Sequence, residues 1–215
     1  RLQFRDDRNT CIIVASGPTA GDLDAELIRG WPTVVVNDAW HLVPTATCLY
    51  AADGRWWKIH IAAIRTGFTG ECWTQDAGAA KDFGLKYVEG QRAEGLSRKA
   101  GVIRYGGMLG NSGAQAINLA YLFGARRLIL VGFDMRWSDG THSGDRGGRE
   151  HFFGAHLKGL NNSSAYSSFV RGMGQMAVDL HMDRVEVINC SAVSALPYWP
   201  KKRLAEVIEC PVPTV

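Results

Sequence analysis

The chain has 215 residues, 46% of them hydrophobic, and a formal net charge of +3. That is enough apolar material to bury a full core as one domain spanning 1–215. It holds no run approaching the roughly 18 apolar residues of a membrane span, and its positive charge is too dispersed for a strong nucleic-acid footprint. The five cysteines, Cys11, Cys48, Cys72, Cys190 and Cys210, form no C-x-x-C pair and no regular spacing. Neither a disulfide framework nor a zinc site is expected, and with no signal peptide visible the chain reads as a cytoplasmic protein.

In chain order, nearly continuous apolar runs predict strands at Cys11–Ala15, Thr33–Val36, Thr47–Ala51, Leu85–Val88, Leu128–Val131 and Val185–Ile188. Strands that do not alternate polar with apolar are buried on both faces, as in a parallel sheet covered by helices. Helical patterns lie between them: a short one at Leu23–Ile28, then Trp56–Ile64, Ala114–Phe123 and Ser164–Leu180. The alternation predicts an α/β, Rossmann-like fold with a mostly parallel sheet flanked by helices. After the fifth predicted strand, residues 136–162 are rich in Gly, His, Asp, Arg and Asn, with little periodicity. A segment of that length and composition predicts a lid over a binding site.

In an open parallel sheet, ligands sit beyond the carboxyl ends of the strands. There the chain places Ser16, Gly17, Pro18 and Thr19, then Asn37 and Asp38, then Asp53, then Asp134, and last Asn189 and Ser191. So many small, carboxamide and carboxylate residues on one rim predict a polar ligand site. The stretch GMLGNSGAQAINLAYL, residues 107–122, adds a helix start capped by Asn111 or Ser112 and loosened by Gly113. The exposed amides and positive dipole end of such a start suit a phosphate. The turn SGPTAGDL lacks the G-x-G-x-x-G fingerprint, and the chain has no G-K-[ST], so a P-loop is excluded. A nucleotide can still lie across Gly17 while Asn37 reads its sugar or base. The pair Trp56-Trp57 offers stacking surface, but at the head of an amphipathic helix packing is expected.

The stretches VASGPTAGDLD, VVVNDAW, NSGAQAINLAYLFGARRLILVGFDM and VINCSAVSAL together resemble two related groups. One is the bacterial lipo-oligosaccharide sialyltransferases. The other is a set of phage proteins and archaeal hydroxymethylpterin pyrophosphokinase-like proteins that share a domain of unknown function. NDAW, AADGRWW and GAHLKGLNN resemble the phage members. The sialyltransferase likeness implies a transferase with a nucleotide-activated sugar as donor and no tightly bound cofactor. Gly17, Pro18, Thr19 and Asn37 would then contact the nucleotide, and Ser112 and Gly113 the phosphate. A lid histidine would act as general base on an acceptor hydroxyl, of a glycan or of a modified base in phage DNA. Three histidines qualify: His156 first, because it stands with Asn161 in GAHLKGLNN, then His142 and His151. Arg146, Arg149 or Lys158 would supply cations to the phosphate. The pyrophosphokinase likeness implies instead ATP and Mg²⁺, held near Asp134, Asp139 and Asp145. A non-catalytic nucleotide-binding module is a third expectation. A phage-encoded protein would work in the host cytoplasm, and the Trp-rich surface is compatible with self-association.

Overall fold

The computed structural model describes residues 9–106, 110–140, 148–154 and 166–209. At its centre is a seven-stranded, wholly parallel sheet in the order β5-β4-β3-β2-β1-β8-β9. Its strands are β1 (Thr10–Val14), β2 (Thr33–Val36), β3 (Cys48–Tyr50), β4 (Glu71–Thr74), β5 (Lys86–Tyr87), β8 (Arg127–Val131) and β9 (Glu186–Asn189). A separate two-stranded ladder joins β6 (Glu89–Gln91) to β7 (Val102–Arg104). This is the Rossmann-like α/β architecture that the apolar runs predict.

Each central strand sends alternate side chains to opposite faces. On one face, Cys11, Ile13, Val34, Tyr50, Leu128 and Leu130 pack under helices α3 (Ser112–Leu122) and α4 (Tyr166–Met182). On the other, Ile12, Val14, Val35, Leu49, Ile129 and Ile188 pack against α1 (Gly54–Gly67), with α2 (Ala77–Phe83) and α5 (Leu204–Glu209) beside it. Burial on both faces explains why these strands are continuously apolar rather than alternating. Among the described residues no helix is long and apolar enough to cross a membrane.

The structure departs from the sequence reading in several elements. β4 has the sequence ECWT and opens on a glutamate, so it carries no apolar run to betray it; its Glu71 faces Lys86 of β5 at 3.5 Å. β5 is an exposed edge strand of two residues, shorter than the Leu85–Val88 run. The expected helix at Leu23–Ile28 is a 3-10 turn over Ala25–Ile28, preceded by another over Pro18–Asp22. Capped by Asp24 and followed by Gly30 with φ 80°, the segment is too short to complete the hydrogen-bonded turns an α-helix needs.

Sheet order positions the site. β1 lies between β2 and β8, so successive connections leave it in opposite directions. The crevice over the carboxyl ends of β1 and β8 is the topological switch point, where doubly wound sheets hold ligands.

Candidate functional site

A cavity of about 160 Å³ opens at that switch point. Its floor is the end of β1 at Ser16 and Gly17, the end of β2 at Asn37, and Gly132 after β8. The β1 turn runs close over its neighbour: the Gly17 amide donates to the Gly132 carbonyl at 3.0 Å. A Cβ on Gly17 would collide with that same carbonyl and sit 2.6 Å from Asp134 Oδ2. Gly132 itself has φ 71°, and a Cβ there would lie 2.5 Å from the Ala15 carbonyl. Only glycine permits this close approach. Ser16 Oγ donates to the Val36 carbonyl at 3.1 Å, tying the two strand ends together. Asn37 has φ 50°, a left-handed conformation that asparagine tolerates better than most residues, and its side chain lines the cavity.

Beneath the turn, Asp134 is 1% exposed and uses both oxygens on Thr19, from the amide at 2.7 Å and the hydroxyl at 2.6 Å. Burial pushes its carboxyl above the ordinary value, while the Thr19 bonds, Ser191 and Arg136 pull the other way. Pro18 opens the 3-10 turn above it. Thr19 and Asp134 therefore shape the turn from below rather than facing the cavity.

One wall is the start of α3. Asn111, not Ser112, is the N-cap: its Oδ1 accepts from the Gly113 amide at 2.8 Å and the Ala114 amide at 3.2 Å. Ser112, the first residue of the helix, lines the cavity at the positive end of the helix dipole.

A second wall comes from residues 148–154 and the start of α4. That segment is pinned at several points. Ser138 exchanges bonds of 2.9 and 2.7 Å with the Arg149 backbone, the Phe152 amide donates to the Ser16 carbonyl at 3.1 Å, and the Tyr166 hydroxyl donates to the Glu150 carbonyl at 3.1 Å. Held this way, Glu150, His151, Tyr166 and Phe169 line the cavity. His151 stacks on Phe153 with centroids 5.0 Å apart, and its Nε2 lies 3.8 Å from Glu150 Oε2. Burial pushes the Glu150 carboxyl and the Tyr166 phenol up.

Of the residues expected from sequence, Ser16, Gly17, Asn37, Asn111, Ser112, Gly113 and His151 thus meet around one cavity. Asp38 and Asp53 do not join them. Asp38 Oδ2 accepts from Trp56 Nε1 at 3.0 Å, with its Oδ1 3.8 Å from His60 Nε2. Asp53 caps α1 through the Arg55 amide at 2.8 Å and pairs with the Arg55 guanidinium. Trp56 and Trp57 are buried, edge to face at 5.2 Å, with Trp57 Nε1 donating to the Ala51 carbonyl. His142, His156, Asn161, Arg146, Lys158 and Asp145 lie outside the described residues. Among the described residues, no three His, Cys, Asp or Glu side chains converge as a metal site would require. Glu150 and Tyr166 escaped the sequence reading. A glutamate in a charged loop and a tyrosine at a helix start carry no periodic signal, and only the pinned segment turns them inward.

No known protein family and no curated protein matches the chain by sequence. Solved structures do match in fold. The monofunctional α-2,3-sialyltransferase Cst-I from Campylobacter jejuni superposes with a TM-score of 0.58 at 10% identity, over 94% of this chain and 82% of that one. The sialyltransferase CstII from Campylobacter jejuni, in complex with the substrate analogue cytidine-5′-monophosphate, superposes with a TM-score of 0.55 at 10% identity, over 89% and 84%. CST-II in complex with a trisaccharide acceptor and CMP gives a TM-score of 0.53 at 9% identity, over 91% and 87%. At such identity the likeness is one of fold.

Proposed function

We propose that the chain is a glycosyltransferase that uses a nucleotide-activated sugar. The observation that carries this reading is the cavity itself. It lies at the switch point of a sheet whose structural relatives are sialyltransferases, one of them captured with CMP, and it brings a glycine turn, Asn37 and a capped helix start within reach of one ligand. In this reading the nucleoside lies across Gly17 and Asn37, and the phosphate meets the Ser112 amide at the α3 N-terminus.

The chemistry is a displacement at the anomeric carbon. The acceptor oxygen forms the new bond to that carbon, and the bond to the phosphate oxygen breaks, its electron pair leaving with the nucleotide. The acceptor hydroxyl proton goes to a histidine. His151 is the described lid histidine on the cavity wall and takes the role here, with His142 and His156 as its rivals in the same segment. The acceptor is a hydroxyl-bearing molecule, a glycan or a modified base in DNA.

A thermal-shift panel of CMP, CDP, UDP, GDP, ADP and ATP, each with and without Mg²⁺, tests the reading. Stabilisation by one pyrimidine or guanosine nucleotide, indifferent to metal, is the expected result. Stabilisation by ATP only with Mg²⁺ would replace it with diphosphate transfer, and no shift at all would remove the nucleotide site.

A further inference from the structure

The cavity wall holds a group that the proposed transfer step leaves unused. Glu150 is 4% exposed, yet it lines the cavity. Its backbone carbonyl is taken by Tyr166, while the basic group nearest its carboxylate among the described residues is His151, Nε2 at 3.8 Å. That separation is beyond hydrogen-bond length. The carboxylate borders the cavity, and among the described residues lining that cavity there is no lysine or arginine to pair with it. Among the described residues, the Tyr166 hydroxyl is committed to the Glu150 carbonyl, and the Phe169 ring lines the same cavity. A ligand in the cavity can supply donors to the carboxylate.

Resting on the nucleotide-sugar reading above, we infer that Glu150 is the specificity-determining residue of the site. Its carboxylate accepts hydrogen bonds from hydroxyl or ammonium groups of the transferred sugar and rejects a sugar that presents a carboxylate there. The donor is accordingly a neutral or amino sugar nucleotide rather than an acidic one. Discrimination of this kind is strong because the wrong ligand brings a second buried anion, not merely a missing contact. Ligand hydroxyls leave the carboxylate solvated in effect, whereas a ligand carboxylate leaves two like charges in one small enclosure.

The test is titration calorimetry on the full chain and on Glu150→Gln. The probes are UDP-glucose against UDP-glucuronate, which differ at one carbon, and CMP against CMP-sialic acid. The wild-type chain is expected to bind UDP-glucose at least about tenfold tighter than UDP-glucuronate, and CMP-sialic acid no tighter than CMP. In Glu150→Gln the ratio within the uridine pair is expected to collapse to within about twofold. An unchanged ratio in the variant, or a wild-type preference for the acidic sugar, overturns the inference. The ribose offers the same hydroxyl chemistry, so UMP is compared with 2′-deoxy-UMP. If the variant loses its preference for the ribonucleotide while the sugar ratio stays put, the contact belongs to ribose and the sugar assignment falls. A second measurement needs no variant: the wild-type ratio should narrow as pH is lowered and Glu150 takes up its proton. A ratio flat with pH overturns the inference as well. Failure of the underlying reading looks different, because then neither UDP nor CMP binds the wild-type chain.

Discussion

Two ends of the sheet rim share a sequence appearance and are built in opposite ways. At β2 and β3 the strands run into Asp38 and Asp53, and both carboxylates are consumed by the scaffold. One accepts from the Trp56 indole and the other caps α1, over a floor filled by Trp56 and Trp57. At β1 and β8 the strands run into Gly17 and Gly132, which leave a gap where side chains would otherwise fill. There the buried Asp134 braces the turn from below, and Asn37, Ser112 and Glu150 border open space. A polar residue at a strand end marks a site only where the neighbouring backbone is bare enough to leave room. Where an indole is at hand, the same residue becomes part of the core.

The contrast can be broken by substitution, and the largest effect is expected at the filled end. Trp57→Ala should lower stability by about 3–5 kcal/mol through the cavity it leaves. The fraction that stays folded should bind nucleotide as the wild type does, by denaturant titration and calorimetry. Loss of affinity in that fraction would mean the filled end also serves the ligand. Next comes Gly17→Ala, whose methyl meets the Gly132 carbonyl and Asp134; overpacking of this kind costs about 1–3 kcal/mol. It should also abolish nucleotide-induced thermal stabilisation, and retained stabilisation would show that the turn is not the floor of the site.

The two helix caps sharpen the comparison. Asp53→Ala and Asn111→Ala each remove a capping side chain, worth about 1 kcal/mol. Only Asn111→Ala should also weaken nucleotide binding severalfold, since of these two helices only α3 begins at the cavity. Equal effects on binding would erase the distinction between the two ends.

The smallest effect is electrostatic. Burial raises the folded-state value of Glu150 above its unfolded one, near the ordinary glutamate value of about 4.3. Its contribution to stability is therefore full below that unfolded value and is lost as pH rises through the folded one. Glu150→Gln should melt slightly higher than wild type at pH 8 without ligand and flatten the pH dependence of the melting temperature. An identical pH profile for the two proteins would show that the carboxylate is not held in a dry wall.

Much of this was legible in the residues. Continuous apolar runs such as Cys11–Val14 and Leu128–Val131 report burial on both faces, and that alone implies a parallel sheet between helices, whatever the loops do. The start of α3 was equally plain, because capping chemistry is local and Asn111 lies within three residues of the amides it satisfies. β4 was not legible, since a strand of four residues opening on Glu71 has too little periodicity to stand out from a loop. The diversion of Asp38 and Asp53 into the scaffold could not be read either. Trp56 and Asp38 are 18 positions apart and meet only once β2 and α1 are packed.

By itself, then, the sequence determined what depends on local pattern: the α/β class, the glycine turn and the capped helix. Tertiary structure alone decided which polar residues face the cavity. Glu150 acquired its place because Ser138, Ser16 and Tyr166 pin one loop from three directions. Those contacts join separate segments of the chain, and the place on the cavity wall that gives Glu150 its proposed role exists only after they form.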